Sequence, residues 1–410
     1  MTSKYLKEFE RLNTTTESIH DLKGHKVLII LNDGTNLTSW EDVEWKENHY
    51  GRYDDTIIYI SEDLTGLSDL SERYRKLKSL RAIVACGVTE NVKDTSAMFE
   101  NCQSLVDVSG LEGLDVSNVE NMSRMFSECN KLDDLSPLTE WDVSNAREMT
   151  DMFYRCSSLA DLSPLKDWGV SSLKSMEGMF YLCSSLADLS ALSGWDVAGV
   201  ENMEWLFYSC ALEDLSPLAK WDVSNAKKMN MMFCDCPNLE DLAPLRNWDL
   251  SNAENIESMF WGLSFLEDLS PLKDWDVSNV KVMDCLFDSC ASLNDLSPLA
   301  NWDVSNVKCM CEMFERCASL KDLAPLADWD VSNAKYMEEM FSGCTSLNDL
   351  APLADWDVSN VKDMEEMFRG CSGLVDLSCL NGWDVSNVEN MNDMFKDCDS
   401  IESYPEWYVE

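Results

Sequence analysis

Residues 141–167 read WDVSNAREMTDMFYRCSSLADLSPLKD. Ala146, Met149, Met152, Phe153 and Cys156 fall at steps of 3, 3, 1 and 3, the spacing of one apolar face of an α-helix. Asp142 or Ser144 stands just ahead with side chains suited to an N-cap. A helix of roughly three turns is too short to be stable alone, so it needs neighbours. After Cys156 the pattern changes: Leu159, Leu162, Leu165 and Trp168 are spaced by three. Strict alternation is absent, which predicts a strand of only a few residues followed by a bend at Pro164. Proline donates no ladder hydrogen bond, so it belongs beyond the strand or at a bulge. The stretch therefore predicts a unit of short strand, bend and helix.

The unit recurs. Phe99, Phe126, Phe153, Phe180, Phe207, Phe233, Phe260, Phe287, Phe314, Phe341, Phe368 and Phe395 follow one another every 27 residues, with a single step of 26 between Phe207 and Phe233. A fixed period of this length is the mark of a solenoid, which grows by stacking and overrides a domain count taken from length. Strands stack at about 4.8 Å and helices at about 8–10 Å. A row with unequal spacing must curve with its strands inside. Trp141, Trp168, Trp195 and their equivalents are expected to form a column at the corner between strand and helix.

The module L-x-D-L-S-P-L-x-x-W-D-V-S-N-x-x-x-M-x-x-M-F-x-x-C-x-S resembles the BspA-like leucine-rich-repeat family, described among bacterial surface proteins, mycoplasma lipoproteins and some archaeal proteins. The W-D-V-S-N and M-F-x-x-C segments carry the match, over residues from about 95 to 400. The segment after the second leucine is about one residue longer than the usual family module and contains proline. The resemblance implies binding or adhesion and supplies no catalytic residue. Period and resemblance together predict an α/β solenoid: a leucine-rich-repeat-like, right-handed superhelix of about twelve strand–bend–helix modules with a parallel sheet on the concave side.

Residues 1–94 do not fit the period and are expected to form an N-terminal α/β cap. Lys26–Leu31, Thr56–Ile60 and Arg81–Cys86 read as strands, Asn32–Gly34 as a turn and Ser68–Leu80 as a helix. Residues 95–400 form the repeat array, and 401–410 an aromatic closing tail.

Composition narrows the function. The chain is 45% hydrophobic, enough for a large core, and carries a net charge of -43. Such a surface repels nucleic-acid phosphates, so no direct nucleic-acid binding is expected. No run of 18 apolar residues is present, and residues 1–20 hold no apolar core of the length a secretory signal needs, so neither a membrane span nor export is expected. The expected location is cytoplasmic on this sequence, or the cell surface if an export signal is missing or of an unrecognised kind. Eleven of the 17 cysteines share one repeat position, which reads as a buried ladder in a reducing compartment. The C-x-C pairs Cys234/Cys236 and Cys309/Cys311 lack zinc-site spacing, and each is expected to include one core position.

All three histidines, His20, His25 and His49, lie in the first fifty residues, so the array can hold no Ser-His-Asp or Cys-His arrangement and no enzyme is expected. Two aspartate columns recur. Asp115, Asp142, Asp196 and their equivalents precede the expected helix and read as caps. Asp161, Asp188, Asp214, Asp241, Asp268, Asp295, Asp322 and Asp349 recur before the bend. Their first reading is Asx-type hydrogen bonding; the sharper one is a row of Ca²⁺ ligands, otherwise no cofactor is implied. The asparagine column (Asn145, Asn252, Asn279 and equivalents) is expected to satisfy backbone groups between turns. Trp205, Trp261, Phe265 and Tyr336 break their columns and are the candidate binding anchors.

The sequence thus predicts a non-enzymatic recognition or adhesion scaffold for a protein or glycan. An acidic mimic of nucleic acid that occupies basic proteins is the alternative, and adaptation to high internal salt a third reading of the charge. Nothing in the pattern fixes the oligomeric state.

Overall fold

The structure is a computed structural model and describes residues 27–31, 36–37, 57–62, 64, 66–86 and 91–408. The three histidines and the expected turn at Asn32–Gly34 lie outside the described residues. The chain divides into two compact units, Met1–Gly199 and Val200–Glu410.

In the first unit, β1 (Val27–Leu31), β2 (Asn36–Leu37), β3 (Ile57–Glu62) and β4 (Ala82–Cys86) form one sheet in the order β2-β1-β3-β4. The three strands expected here are present. β1 runs antiparallel to β2 and β3, and β3 is parallel to β4. Ala82 in β4 then bridges Asp107, which joins the sheet to the first repeat.

The solenoid of 27-residue modules is as the period predicts; the elements inside each module are not. No α-helix occurs among the described residues. The segment with helical spacing is instead a run of tight turns stacked on the next module. Met122, Arg124, Phe126 and Glu128 donate their backbone N–H groups to the carbonyls of Glu148, Thr150, Met152 and Tyr154, at 2.6–2.9 Å. The N–H groups between them turn inward: Met125, Ser127 and Cys129 donate to Met122, Arg124 and Phe126 three residues back, at 3.0–3.2 Å. Backbone donors thus alternate between the neighbouring module and their own turn. Arg124 and Glu128, both at φ 60°, sit in the left-handed region that lets the chain reverse twist every fourth residue. The segment 68–80, expected as a helix, does the same: Glu72 and Lys76 are left-handed, and Leu70, Glu72, Tyr74 and Lys76 donate to Asp94, Ser96, Met98 and Glu100.

Spacing explains the choice. Successive core phenylalanines stack face to face with centroids 5.4–5.8 Å apart from Phe99 to Phe180. Packed helices need about 8–10 Å, so modules this close cannot each contain one. A left-handed non-glycine residue costs roughly 1–2 kcal/mol. Each turn recovers that through inter-module hydrogen bonds and a fully buried aromatic ring, the latter alone being worth about 1.5–3 kcal/mol.

The strand is also displaced. It was expected at L-x-D-L, but parallel bridges run through the residue five before each phenylalanine: Asp94, Asn121, Glu148 and Ser175 in the first unit, and Asn202, Lys228, Asn255, Val282, Cys309, Tyr336, Asp363 and Asn390 in the second. L-x-D-L bridges only at Asp107 and Asp376 among the described residues. The expected bend is a single 3-10 turn, as at Ser163–Leu165, with Pro164 inside it.

Other recurring columns tie modules together. Trp141, Trp168 and Trp195 stack at 6.3 and 6.5 Å, and each indole N–H donates to the carbonyl of Leu111, Leu138 or Leu165, all at 3.1 Å. In the second unit Trp248, Trp275 and Trp302 donate likewise to Leu218, Leu245 and Leu272. Buried thiols follow the same rule: Cys156 donates to the Phe126 carbonyl, and Cys317 to that of Phe287. Burial pushes these thiols up, Cys344 to about 12, so they remain protonated donors. Asn145, Asn252 and Asn279 donate to Ser117, Ser224 and Ser251 at 2.7 Å, the backbone role expected of that column. The tail closes the second unit: Trp407 stacks on Trp383 at 6.2 Å and Tyr408 meets Phe395 edge-on at 5.0 Å.

Gly343 occupies a left-handed position at φ 74°, where an added Cβ would lie 3.4 Å from the Arg316 Cα. Gly343→Val combines a β-branched side chain with left-handed backbone, and is expected to cost about 1–3 kcal/mol in chemical denaturation. Gly343→Asn is expected to cost less. Equal stability of glycine and valine forms would show that the turn ladder is misassigned.

Candidate functional site

Both aspartate columns prove to be turn-formers. In the column before the bend, Asp161, Asp188, Asp214, Asp241, Asp268, Asp295, Asp322 and Asp349 are exposed, and each Oδ1 accepts the backbone N–H two residues on at 2.7–2.8 Å. This is the Asx geometry of the first reading. The second column does the same over D-V-S, with Asp142 and Asp276 accepting from Ser144 and Ser278 at 3.0 Å. It caps a turn, since no helix follows. Hydrogen bonds from the serines hold Asp142, Asp214 and Asp276 below the usual carboxylate range. Among the described residues, no three members of the columns converge as ligands; the one convergent group lies elsewhere.

Of the aromatic candidates, Tyr336 is 40% exposed and sits in the bridging column. Phe265, 61% exposed, lies beyond the turn ladder, five residues after Phe260. Trp205 takes a left-handed position at φ 56° with its indole N–H on Met231 Sδ at 2.9 Å. Trp261 is half-buried and donates to Asp288 Oδ2 at 2.5 Å. Tyr336 stands three modules from Trp261, so the structure does not assemble the four into one patch.

What it does assemble is a face where chemistry changes at every step. In the second unit the bridging column passes through amide, base, amide, valine, thiol, phenol, acid and amide. Beside it, Lys281, Lys308, Lys335 and Lys362 occupy one position in four consecutive modules, all exposed. Lys308, Lys335 and Lys362 donate backbone N–H groups to Lys281, Lys308 and Lys335 at 2.8–2.9 Å, so these cations are direct neighbours. Lys281 pairs with Glu254 and Lys362 with Glu389, and the Tyr336 phenol lies within electrostatic reach of Lys362. In a chain of charge -43, four aligned lysines beside an exposed phenol are a local concentration of positive charge.

Further along the same turns is an acidic cluster. Asp288 and Glu315 are 2% and 4% exposed, Glu312 is half-buried, and one oxygen of each lies within 4.8 Å of the others. Asp288 also accepts from Ser289 Oγ at 2.9 Å. Arg316 pairs with Glu315 Oε1 at 2.7 Å, while Glu315 Oε2 is buried without a partner. Burial, then the charge of Asp288, pushes the Glu315 carboxyl up to about 7. Next to it Asp284 accepts the Cys311 backbone N–H at 2.7 Å, and the Cys311 thiol donates to Glu338. Cys309 and Cys311 are both half-buried, so this pair contains no core position, contrary to expectation. Cys234 and Cys236 are both buried. The sequence singled out Trp261 but missed Asp288, which it touches, and the two glutamates beside that aspartate. Their only signal was two successive acids, Asp288 and Glu315, at a position held by Trp261 and Ser342 in the flanking modules.

The fold and its columns define a leucine-rich-repeat-type solenoid. The chain belongs to the family described as "Mycoplasma protein of unknown function, DUF285", whose repeats match residues 68–191, 184–297 and 285–408, in agreement with the BspA-like resemblance. No curated protein matches. Among solved structures, an internalin from Listeria monocytogenes is 14% identical, covers 100% of this chain and 96% of its own, and has a TM-score of 0.43. A leucine-rich cell surface protein from Faecalibacterium prausnitzii is 17% identical, with coverages of 86% and 88% and a TM-score of 0.46. A leucine-rich repeat protein from Eubacterium ventriosum is 13% identical, with coverages of 86% and 93% and a TM-score of 0.35.

Burial, with Glu257 and Glu338 adding, pushes Asp284 up to about 6 from 3.8. A carboxyl raised on folding supports the folded state at low pH, and that support is lost as pH rises through about 6. Asp284→Asn keeps an acceptor for Cys311 and cannot ionise. The melting temperature of the variant relative to the parent is therefore expected to rise between pH 4 and pH 7. Parallel curves over that range would rule out the shifted carboxyl.

Proposed function

We propose that this protein is a non-enzymatic recognition scaffold, and that it binds an acidic segment of a protein partner along the lysine stripe beside Tyr336. The observation that carries the reading is the run Lys281, Lys308, Lys335 and Lys362 held in register by backbone hydrogen bonds. Like charges one module apart repel, and among the described residues the exposed ammonium groups of Lys308 and Lys335 form no ion pair. An exposed phenol between such cations supplies the apolar anchor that charge alone lacks. The phenylalanine, tryptophan, cysteine and asparagine columns are occupied in holding modules together, and the exposed aspartates carry the wrong sign for an acidic partner. The array contains no histidine and its repeat-position thiols are buried and protonated, which supports a binding role over a catalytic one.

The test compares capture by the full chain, by Lys308→Glu/Lys335→Glu/Tyr336→Ala, and by a control, Asp328→Lys/Asp355→Lys, altered at exposed acids just before the tryptophans. Proteins with acidic segments should be held by parent and control, lost from the triple variant, and displaced by polyglutamate. Retention of the same partners by the triple variant sinks the stripe as the binding face. Capture of sulfated or carboxylated glycans alone would replace the protein partner. Capture of basic proteins, competed by DNA, would move the reading to the acidic mimic.

A further inference from the structure

The acidic cluster of the second unit has no role in the stripe, and a different set of observations bears on it. Asp288, Glu312 and Glu315 come from two successive modules. Asp288 and Glu315 stand at the position after their phenylalanines, and Glu312, at φ 56°, occupies the left-handed position that turns its side chain out of the Met313 and Phe314 core. Three carboxylate oxygens within 4.8 Å of one another repel strongly where water is excluded. Among the described residues, Arg316 is the one basic group paired with them, on Glu315 Oε1. With all three ionised, one guanidinium would leave two negative charges uncompensated, and burial with mutual repulsion raises Asp288 and Glu315 accordingly. The unused Glu315 Oε2 is the second observation: it is fully buried, has no hydrogen-bond donor, and belongs to a side chain only 5% exposed. A buried charged oxygen without a partner is costly enough that a native fold normally supplies one.

We propose that Asp288, Glu312 and Glu315 bind a single hard divalent cation, with Ca²⁺ the best match. The donor set is all carboxylate oxygen, with no histidine in this unit, which favours Ca²⁺, Mg²⁺ or Mn²⁺ over softer ions. Opposite oxygens around Ca²⁺ at about 2.3–2.6 Å from the ion are roughly 5 Å apart, so a group confined to 4.8 Å fits one coordination shell. The half-buried Glu312 leaves one side open for the waters that complete it. Trp261 and Ser289 orient Asp288 through its two oxygens, and Arg316 orients Glu315 through Oε1, which leaves Oε2 for the ion. The site is distinct from the exposed aspartates before the bend, whose Oδ1 atoms are committed to the backbone. It goes beyond the recognition reading and does not depend on it.

The experiment is calorimetric titration of Ca²⁺ into the chelator-stripped full chain in 150 mM KCl, which screens diffuse attraction to the acidic surface. The parent should show one saturable site, and Ca²⁺ should raise its melting temperature. Glu315→Gln and Asp288→Asn should weaken binding at least tenfold and abolish the thermal shift. Glu315→Gln is isosteric and removes a repelling charge, so without metal it should melt no lower than the parent. Asp295→Asn/Asp322→Asn should bind as the parent does. Tb³⁺ used as the probe should give luminescence sensitised by the adjacent Trp261 indole, displaced by Ca²⁺ and lost in Glu315→Gln. Undiminished binding in both carboxylate variants, or no saturable binding by the parent, overturns the proposal. Loss of binding in the double aspartate variant instead would assign the ion to the exposed column.

Discussion

Backbone N–H groups that alternate between the module's own turn and the next module are the constraint on which the rest of the structure depends. The alternation forces a left-handed residue every fourth position, which is why charged residues such as Arg124, Glu128, Glu312 and Arg316 adopt positive φ. It also sets modules at β-like spacing. That spacing brings the phenylalanine rings into face-to-face contact and lets the indole of Trp141 and the thiol of Cys156 reach carbonyls thirty residues earlier. Each invariant side chain therefore completes a hydrogen bond or a stack that the turn geometry leaves open. Replacing the α-helix by turns removes the four unsatisfied groups at each helix end and leaves the ladder to satisfy the backbone.

The acidic excess acquires a physical division of labour from the same geometry. The aspartates of the two columns spend one oxygen on a backbone N–H two residues ahead, so their charges are held at the surface by turn chemistry. Their number follows the number of modules, with Gly169 standing where the second column would place an acid. The carboxylates of Asp284, Asp288 and Glu315 differ: they are partly or fully withdrawn from water and raised first by burial and then by neighbouring carboxylates. Net charge alone could not separate these populations. Nor could it show the lysines at 281, 308, 335 and 362 as neighbours, since in sequence they are 27 residues apart within an acidic chain.

The sequence by itself determined the period, the number of modules, the core columns, the terminal aromatic closure and the absence of histidine chemistry in the array. Those properties depend on which residues recur, and recurrence is visible in one dimension. It also anticipated the Asx turns, the asparagine contacts and the buried thiols, because each is local or repeats with its partner. It did not determine the conformation of the apolar face. Steps of 3, 3, 1 and 3 at Ala146, Met149, Met152, Phe153 and Cys156 fit a helix of 3.6 residues per turn. They fit equally a chain of turns that reverses twist every four residues. The two differ in the distance to the next module, and only the tertiary structure decided it: ring stacking at 5.4–5.8 Å excludes a helix and selects turns. The same contact between modules built the acidic cluster, because Asp288 meets Glu312 and Glu315 across a module boundary that the linear pattern does not reveal.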